Sequence, residues 1–432
     1  MTLRSQSFYS DKLIKSSSLL FVAAMVTNVS NYAFQIVMGR MLLPNEYGLM
    51  NALLALFVIL VVPVSPLFTV ITHKIAEYKA LGDLAAIHNL HRKMSRRVIL
   101  TGLWGLLLFL ILSSVIRDYL HMSSLVPIVI IGMSLVAALA YPLNLALLQG
   151  VQDYKWMGIN SALGGPAKFF FTVLFVWAGF GVSGVMAGMV VSGLLLWGMS
   201  YFPIEKHLRQ VKGSYGMPKH ILFTDAIPVF LAVFAFTLLT QADMVLVNRY
   251  FPVQDAAGIY ASAAVLGKAV MYIPGAIILA LFPMVSEQYA LNRGSRHLLI
   301  KALIMTMAIS GSGAVFFYLF PVNIIDVVYG KQYTSAASIL RYYGLAMLPM
   351  ALLMVLMNYL IAREKNLFSY IMIVGALLEI LAIFLFHDSL LQIVFIMMTA
   401  GTLLLAIGIA IQYVPALQLN IKRRESPSPG QA

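Results

Sequence analysis

The chain repeats itself, and it does so within apolar runs long enough to cross a lipid bilayer. Residues 37–48 read VMGRMLLPNEYG and residues 246–258 read LVNRYFPVQDAAG. Each segment sets a basic residue at the end of an apolar run, followed by a Pro, an acid and a Gly. The pairs Arg40/Arg249, Gly48/Gly258, Pro63/Pro274 and Tyr78/Tyr289 are separated by 209, 210, 211 and 211 positions. So small a drift marks an internal duplication of about 210 residues. Two similar helical halves of a membrane chain commonly rock against each other about a central site. The pattern is that of a carrier.

The apolar runs are about 17–25 residues long, the length with which a helix crosses ~30 Å of hydrocarbon. The chain is 61% hydrophobic and only 10% charged, where an ordinary soluble chain is about a quarter charged. Alternating segments of the kind a membrane barrel needs are missing. The expected spans are 17–38, 48–72, 98–116, 125–149, 156–179 and 183–202 in the first half. In the second they are 221–248, 258–284, 299–320, 337–361, 367–386 and 390–414. The N-terminal run is full length with no A-x-A cleavage site, so it reads as the first span. There are no cysteines, which excludes disulfides and thiolate chemistry.

The formal charge of +13 is topological. With these spans, and with Lys301 and Arg341 at span ends counted with their adjoining loops, 22 of the 29 Lys and Arg residues fall on the side of the termini, against 5 on the other, and Lys168 and Lys268 lie deep inside spans. By the positive-inside rule both termini are cytoplasmic, and nucleic acid is not a partner.

The basic loop YFPIEKHLRQVKGSYGMPKH (201–220) divides the spans six and six. Residues 1–210 are expected to form one six-helix lobe, 211–418 a second, and 419–432 a disordered cytoplasmic tail. Residues 74–97 read as a short amphipathic helix at headgroup level. His88 and His91 within it have metal-compatible spacing but no third ligand nearby, so no metal is expected. Pro63 and Pro66 interrupt span two, and Pro274 and Pro283 interrupt span eight, a repeated kink that suits a hinge or a cavity wall. Gly184 and Gly188 suit a close helix contact.

Polar side chains inside spans are the candidate site. Asn28, Asn31 and Gln35 share one face of span one, as Thr237, Gln241 and Asn248 do on span seven. Such stripes suit either a wet cavity between lobes or hydrogen bonding between helices. Four ionisable groups lie deep: Lys168, Lys268, Asp243 and Glu379. Intramembrane charges are costly and usually serve function, while a buried ion pair between helices is the structural reading. Asp243 lies about 200° from Gln241 around the helix, so it is expected to face a different neighbour. The repeat offset carries Lys168 onto Glu379. P-loop, metal-triad and nucleophile-elbow signatures are absent, so no enzyme and no cofactor is expected.

Two segments carry a family resemblance. GRMLLPNEYGLMNALLALF (39–57) resembles the first inter-helix loop of bacterial polysaccharide-biosynthesis flippases. VVYGKQYTSAASILRYYGLAMLPMALLMVLMNYLIAREKN (327–366) resembles their outer loop and tenth span. These belong to the multidrug/oligosaccharidyl-lipid/polysaccharide exporter superfamily. The resemblance implies an all-α, MATE-like, V-shaped transporter of twelve transmembrane helices. It further implies export of an undecaprenyl-diphosphate-linked oligosaccharide across the inner membrane by alternating access, beside a polysaccharide polymerase and glycosyltransferases. The two additional spans and the cavity arginines of the superfamily's lipid II flippases are missing here.

A diphosphate headgroup needs cations, and glycan hydroxyls suit amides. Lys168 and Lys268, with Arg40 and Arg249 at helix ends, are the expected headgroup ligands. Asn28, Asn31, Gln35, Gln241 and Asn248 are the expected glycan ligands, and Asp243 and Glu379 the expected sites of coupling to H+ or Na+. A cation-coupled drug or metabolite antiporter is the alternative within transport. A membrane-embedded glycan polymerase or transferase is the alternative from another class, and it would need large polar outer loops.

Overall fold

The computed structural model describes residues 3–208, 226–252, 255–272, 274–291 and 294–413. They form sixteen α-helices with no strand among the described residues, as lipid requires of a chain that satisfies its own backbone locally. The N-terminal half contains α1 (Leu3–Met41), α2 (Pro44–Val61), α3 (Ser65–Ala80), α4 (Leu84–Ile111), α5 (Ser113–Tyr119), α6 (Val126–Gly150), α7 (Tyr154–Phe175) and α8 (Gly181–Leu208). The C-terminal half contains α9 (Ile227–Tyr250), α10 (Ala256–Tyr272), α11 (Gly275–Ala290), α12 (Arg296–Leu319), α13 (Pro321–Val328), α14 (Ala336–Ala362), α15 (Leu367–Leu385) and α16 (Leu390–Tyr413). The basic linker beyond Leu208 and the tail beyond Tyr413 lie outside the described residues.

Among the described residues ten helices are long and apolar enough to cross a membrane, and α10 is a shorter apolar helix. Twelve crossings were expected. The counts part where α7 and α8 follow each other with only Val176–Phe180 between them, so that Tyr154–Glu205 counts as one apolar stretch of 52 residues although the backbone leaves the helix at Gly179. Such a stretch would extend about 78 Å, more than twice a hydrocarbon core. Gly179 (φ 90°) and Gly181 (φ 50°) fold it back on itself, a conformation that L side chains resist. The returning α8 then packs closely on α7: a methyl group at Gly188 would lie 2.6 Å from Thr172 Cα, and one at Gly184 3.0 Å from the Phe175 carbonyl carbon. The expected GxxxG contact is thus made within this hairpin.

Both halves use one order of neighbours. In the first, α1 packs on α7, α7 on α8, α8 on α6 and α6 on α4; in the second, α9 packs on α15, α15 on α16, α16 on α14 and α14 on α12. Each half also breaks one span at proline. A 3₁₀ turn at Val62–Val64 separates α2 from α3, and Pro274 stands at the N-terminal cap of α11, where α10 and α11 are separate helices. The second break expected in span eight does not occur, because α11 runs on through position 283.

The expected interfacial helix over 74–97 is corrected. Those residues are the end of α3 and the start of α4, joined by a tight turn at Gly82 (φ 71°). Asp83 caps α4 by accepting from Ala86 N–H at 2.8 Å, which satisfies one of the open donors of the first turn. His91 is buried rather than interfacial. Its Nε2 lies 2.9 Å from Asn144 Oδ1, and Asn144 Nδ2 donates to Ser200 Oγ at 2.7 Å, which ties α4, α6 and α8 together. No group of three metal-ligating side chains occurs among the described residues.

Candidate functional site

The halves meet along α2, which packs on both α9 and α10. The closest approach uses the duplicated glycines. A methyl group at Gly258 would lie 1.8 Å from the Pro44 carbonyl oxygen, and one at Gly48 would lie 2.6 Å from Gly258 N. Only a side chain without Cβ lets the N-terminal turns of α2 and α10 cross so tightly. The duplicated arginines flank this crossing. Arg40, ending α1, donates from Nε to the Val328 carbonyl at 2.8 Å and from Nη2 to the Val327 carbonyl. It thereby satisfies open carbonyls at the C-terminal end of α13. Arg249, ending α9, lies 5.2 Å from the ring centre of Tyr119, the last residue of α5, and donates from Nη1 to His121 Nε2, just beyond that helix, at 3.0 Å. Each arginine thus reaches the short helix of the opposite half.

Tyrosines complete the seam. Tyr47 and Tyr329 bring their hydroxyls to 3.1 Å, and Tyr47 also donates to Gln35 Oε1 at 3.1 Å. Beside the seam is a pocket of about 560 Å³ lined from both halves by Asn45, Glu46, His121, Ser183, Asn248 and Asp255. Arg40 and Arg249 were expected as headgroup ligands; their guanidinium groups are occupied between the halves instead. Asn248 is buried, and its Oδ1 has no hydrogen-bond partner among the described residues.

Deeper in the C-terminal half lies an ionic cluster. Asp243 is fully buried and accepts on Oδ2 from Tyr343 at 2.7 Å and from Tyr260 at 3.0 Å. Lys268 Nζ stands 3.6 Å from Asp243 Oδ1 and donates to Gln241 Oε1 at 3.2 Å. Gln241 and Asp243 project from opposite sides of α9, yet both reach this ammonium; the long arms of Gln241 and Lys268 close the gap. Glu379 on α15 is 2% exposed, and neither of its oxygens has a hydrogen-bond partner among the described residues. It lies within electrostatic reach of Asp243. The buried ion pair that was the structural reading of these charges is made by Lys268 with Asp243 and not with Glu379.

The N-terminal half holds its cation differently. Lys168 on α7 is half-buried and stands 4.4 Å from the centre of the Phe34 ring on α1, a cation–π contact. It makes no ion pair or side-chain hydrogen bond among the described residues. Close packing fixes it there: a methyl group at Gly165 would lie 2.8 Å from the Thr27 carbonyl oxygen, and Thr27 Oγ1 donates to the Ser161 carbonyl at 2.7 Å. On the same stretch of α1, Asn28 is exposed and Asn31 and Gln35 are half-buried. On α9, Thr237 spends its hydroxyl on the Val233 carbonyl at 2.7 Å.

Tyr260, Tyr343, Tyr329 and His121 escaped the sequence reading. That reading picked out charges and amides, whereas a tyrosine in an apolar run is indistinguishable from core until its hydroxyl partner is known.

The fold has solved relatives. An inward-facing multidrug resistance MATE transporter of the MOP superfamily superposes with a TM-score of 0.74 at 13% identity, over 92% of this chain and 97% of its own. A MOP superfamily transporter from Pyrococcus furiosus, described as having a binding pocket of reversed polarity, gives 0.68 at 13% identity over 93% and 94%. The lipid II flippase MurJ, in an inward closed conformation, gives 0.66 at 13% identity over 91% and 88%. No match was found among curated protein sequences. At the level of sequence, the profile of the polysaccharide biosynthesis protein family matches residues 37–338, well over half of the chain. The chain is a multi-pass, all-helical membrane protein of MATE-like fold, and it belongs to that family.

Proposed function

We propose that the protein exports a lipid-linked oligosaccharide, carried on undecaprenyl diphosphate, across the cell inner membrane by alternating access. In this reading it crosses twelve times with both termini cytoplasmic. The spans are α1, α2 with α3, α4, α6, α7, α8, α9, α10 with α11, α12, α14, α15 and α16, divided into lobes at residues 1–210 and 211–418. A polymerase and glycosyltransferases act beside it, and neither cofactor nor nucleic acid takes part.

The observation that carries this reading is Lys168. An ammonium inside a membrane span with no counter-charge is costly unless an anion visits it, and a diphosphate is such an anion. The Phe34 ring holds the amine without neutralising it. Asn31 and Gln35 flank Phe34 on α1 and, with Asn28, are placed to meet glycan hydroxyls; Gln241 and Asn248 offer amides from α9. Lys268 is the weaker headgroup ligand because Asp243 already takes its charge. Arg40 and Arg249 serve as latches of the closed seam. Asp243 and Glu379 are the coupling groups.

An export assay tests this. In a strain lacking the gene, wild type restores surface polysaccharide. Lys168→Ala at normal expression leaves the lipid-linked repeat unit accumulated, and Lys168→Arg restores part of the export, since phosphate binding needs charge before geometry. Full export by the alanine variant would refute the reading. The second reading, a cation-coupled drug or metabolite antiporter, draws on Glu379, a buried acid available to an exchanging cation. Drug resistance that depends on Glu379, with no polysaccharide phenotype, would favour it.

A further inference from the structure

The ionic cluster carries two carboxyls and one ammonium in surroundings that penalise net charge. Asp243 and Lys268 are 0% and 6% exposed, and Glu379 is 2% exposed. The groups that face them come from four helices: Asp243 and Gln241 from α9, Tyr260 and Lys268 from α10, Tyr343 from α14 and Glu379 from α15. Met397 of α16 closes the remaining side, with its sulfur 3.5 Å from the Tyr260 hydroxyl. The oxygens are already divided. Asp243 Oδ2 takes two tyrosine hydroxyls, while Asp243 Oδ1 and Gln241 Oε1 both face the Lys268 ammonium. A hard metal cation needs several such oxygens at once, and here the ammonium stands among them.

We propose that Lys268 selects the coupling ion: its ammonium holds the place beside Asp243 that a sodium ion would need, so the cluster exchanges a proton on Glu379 and not a metal cation. This rests on the reading of Asp243 and Glu379 as coupling groups. The balance is simple. With Asp243 and Lys268 counted as one ion pair, a proton on Glu379 leaves the cluster neutral, and loss of that proton to water leaves a net charge of −1. A groove of about 770 Å³ between α15 and α16 reaches Glu379, with Asp388, Ser389 and Gln392 at one end and Leu378, Phe395 and Leu403 on its walls. Walls of that kind offer a dehydrated metal ion few oxygens along the way, whereas a proton needs only transient water.

The test uses the full-length protein in detergent without any glycan, with sodium chloride as probe and choline chloride as control. Wild type is expected to show no sodium-specific change in Tm. Lys268→Gln, which vacates the seat and leaves Asp243 without a counter-ion, is expected to gain a sodium-specific rise of about 2–4 °C. Lys268→Gln combined with Asp243→Asn is expected to lose that rise. Infrared difference spectra of wild type across a pH titration are expected to show one protonated buried carboxyl, whose band vanishes in Glu379→Gln. Sodium stabilisation of wild type, or sodium indifference of a folded Lys268→Gln variant, overturns the proposal. Should that variant fail to fold, a wild-type spectrum without the Glu379 band overturns it as well. No arm involves glycan export, so the proposal can fail while export through Lys168 stands, and the reverse.

Discussion

In the N-terminal half, α1 and α7 enclose Phe34 and Lys168; in the C-terminal half, their counterparts α9 and α15 enclose Asp243 and Glu379. Phe34 and Asp243 are 209 positions apart, and Lys168 and Glu379 are 211 apart, within the spacing of the repeat. Equivalent places therefore hold a ring beneath a cation on one side and two acids on the other. The second cation, Lys268, enters from α10 at a position where α2 carries Val58. The duplication kept the frame and divided the chemistry. On the proposed function, a seat for an anion and a pair of exchanging acids placed together would neutralise each other, so the protein gains by separating them between two copies of one scaffold.

The largest effect is expected in the C-terminal half. Asp243→Ala removes the counter-ion of a buried lysine and should cost about 3–5 kcal/mol of stability. Asp243→Asn combined with Lys268→Gln should recover most of it, because an uncharged pair leaves no ion stranded. Thermal unfolding of wild type, Asp243→Asn, Lys268→Gln and their combination measures the coupling. A loss in the double variant equal to the sum of the two single losses would mean that the pair is not coupled.

Next in size is the N-terminal cation. Loss of one charge-assisted contact is worth about 1.5–3 kcal/mol, so Lys168→Ala should weaken binding of a diphosphate-bearing lipid about 10–100-fold. Phe34→Asp should weaken it as much while leaving the lysine in place, since it would give Lys168 the acid that the C-terminal half has at that position. Titration in lipid nanodiscs with undecaprenyl diphosphate reads both. Tight binding by Phe34→Asp would show that the ammonium does not act through free charge.

A third expectation concerns the seam, where the two halves are alike. Gly258→Ala sets a methyl group 1.8 Å from the Pro44 carbonyl oxygen, and overpacking of this kind costs about 1–3 kcal/mol. The helices α2 and α10 should part and populate the conformer open at that end. The chain has no native cysteine, so spin labels placed through Asn45→Cys and Asp255→Cys report the distance across the seam without background. An unchanged distance distribution in the Gly258→Ala variant would mean that the crossing yields locally instead.

Membrane class, helical content and family were legible from apolar run lengths, low charge content and the two quoted motifs. The repeat was legible as well, and Gly48 and Gly258 prove to be where the copies touch. The candidate site was legible in part, as the depth of its ionisable groups. Depth along a helix marked Lys168, Lys268, Asp243 and Glu379, because hydropathy reports burial in lipid. Which of them meet was not legible. The pairing of Lys268 with Asp243 depends on side-chain reach between α9 and α10, and helical-wheel angles taken from Cα positions place Gln241 and Asp243 apart. The amphipathic pattern over 74–97 misled for a related reason: two helix ends with polar outer faces have the same periodicity as one interfacial helix, and only the left-handed Gly82 separates them.

The smallest expected effect belongs to the duplicated arginines, and it tests how alike the copies remain. Arg40 is exposed, and ionic contacts in water are worth about 0–1 kcal/mol. Its partners are backbone carbonyls at a helix end, so its loss leaves open acceptors that water can satisfy. Arg249 holds a ring nitrogen and a ring face, which water replaces less well. Arg249→Ala should therefore shift the balance between conformers more than Arg40→Ala, by up to about fivefold in population at about 1 kcal/mol. Lysine should replace neither fully, because a single ammonium cannot reproduce a planar fork. Label distances across the seam in the two variants rank them. If Arg40→Ala opens that face and Arg249→Ala does not, the latches differ in the direction opposite to their contacts; if neither variant opens it, the seam is governed by the Gly48–Gly258 crossing alone.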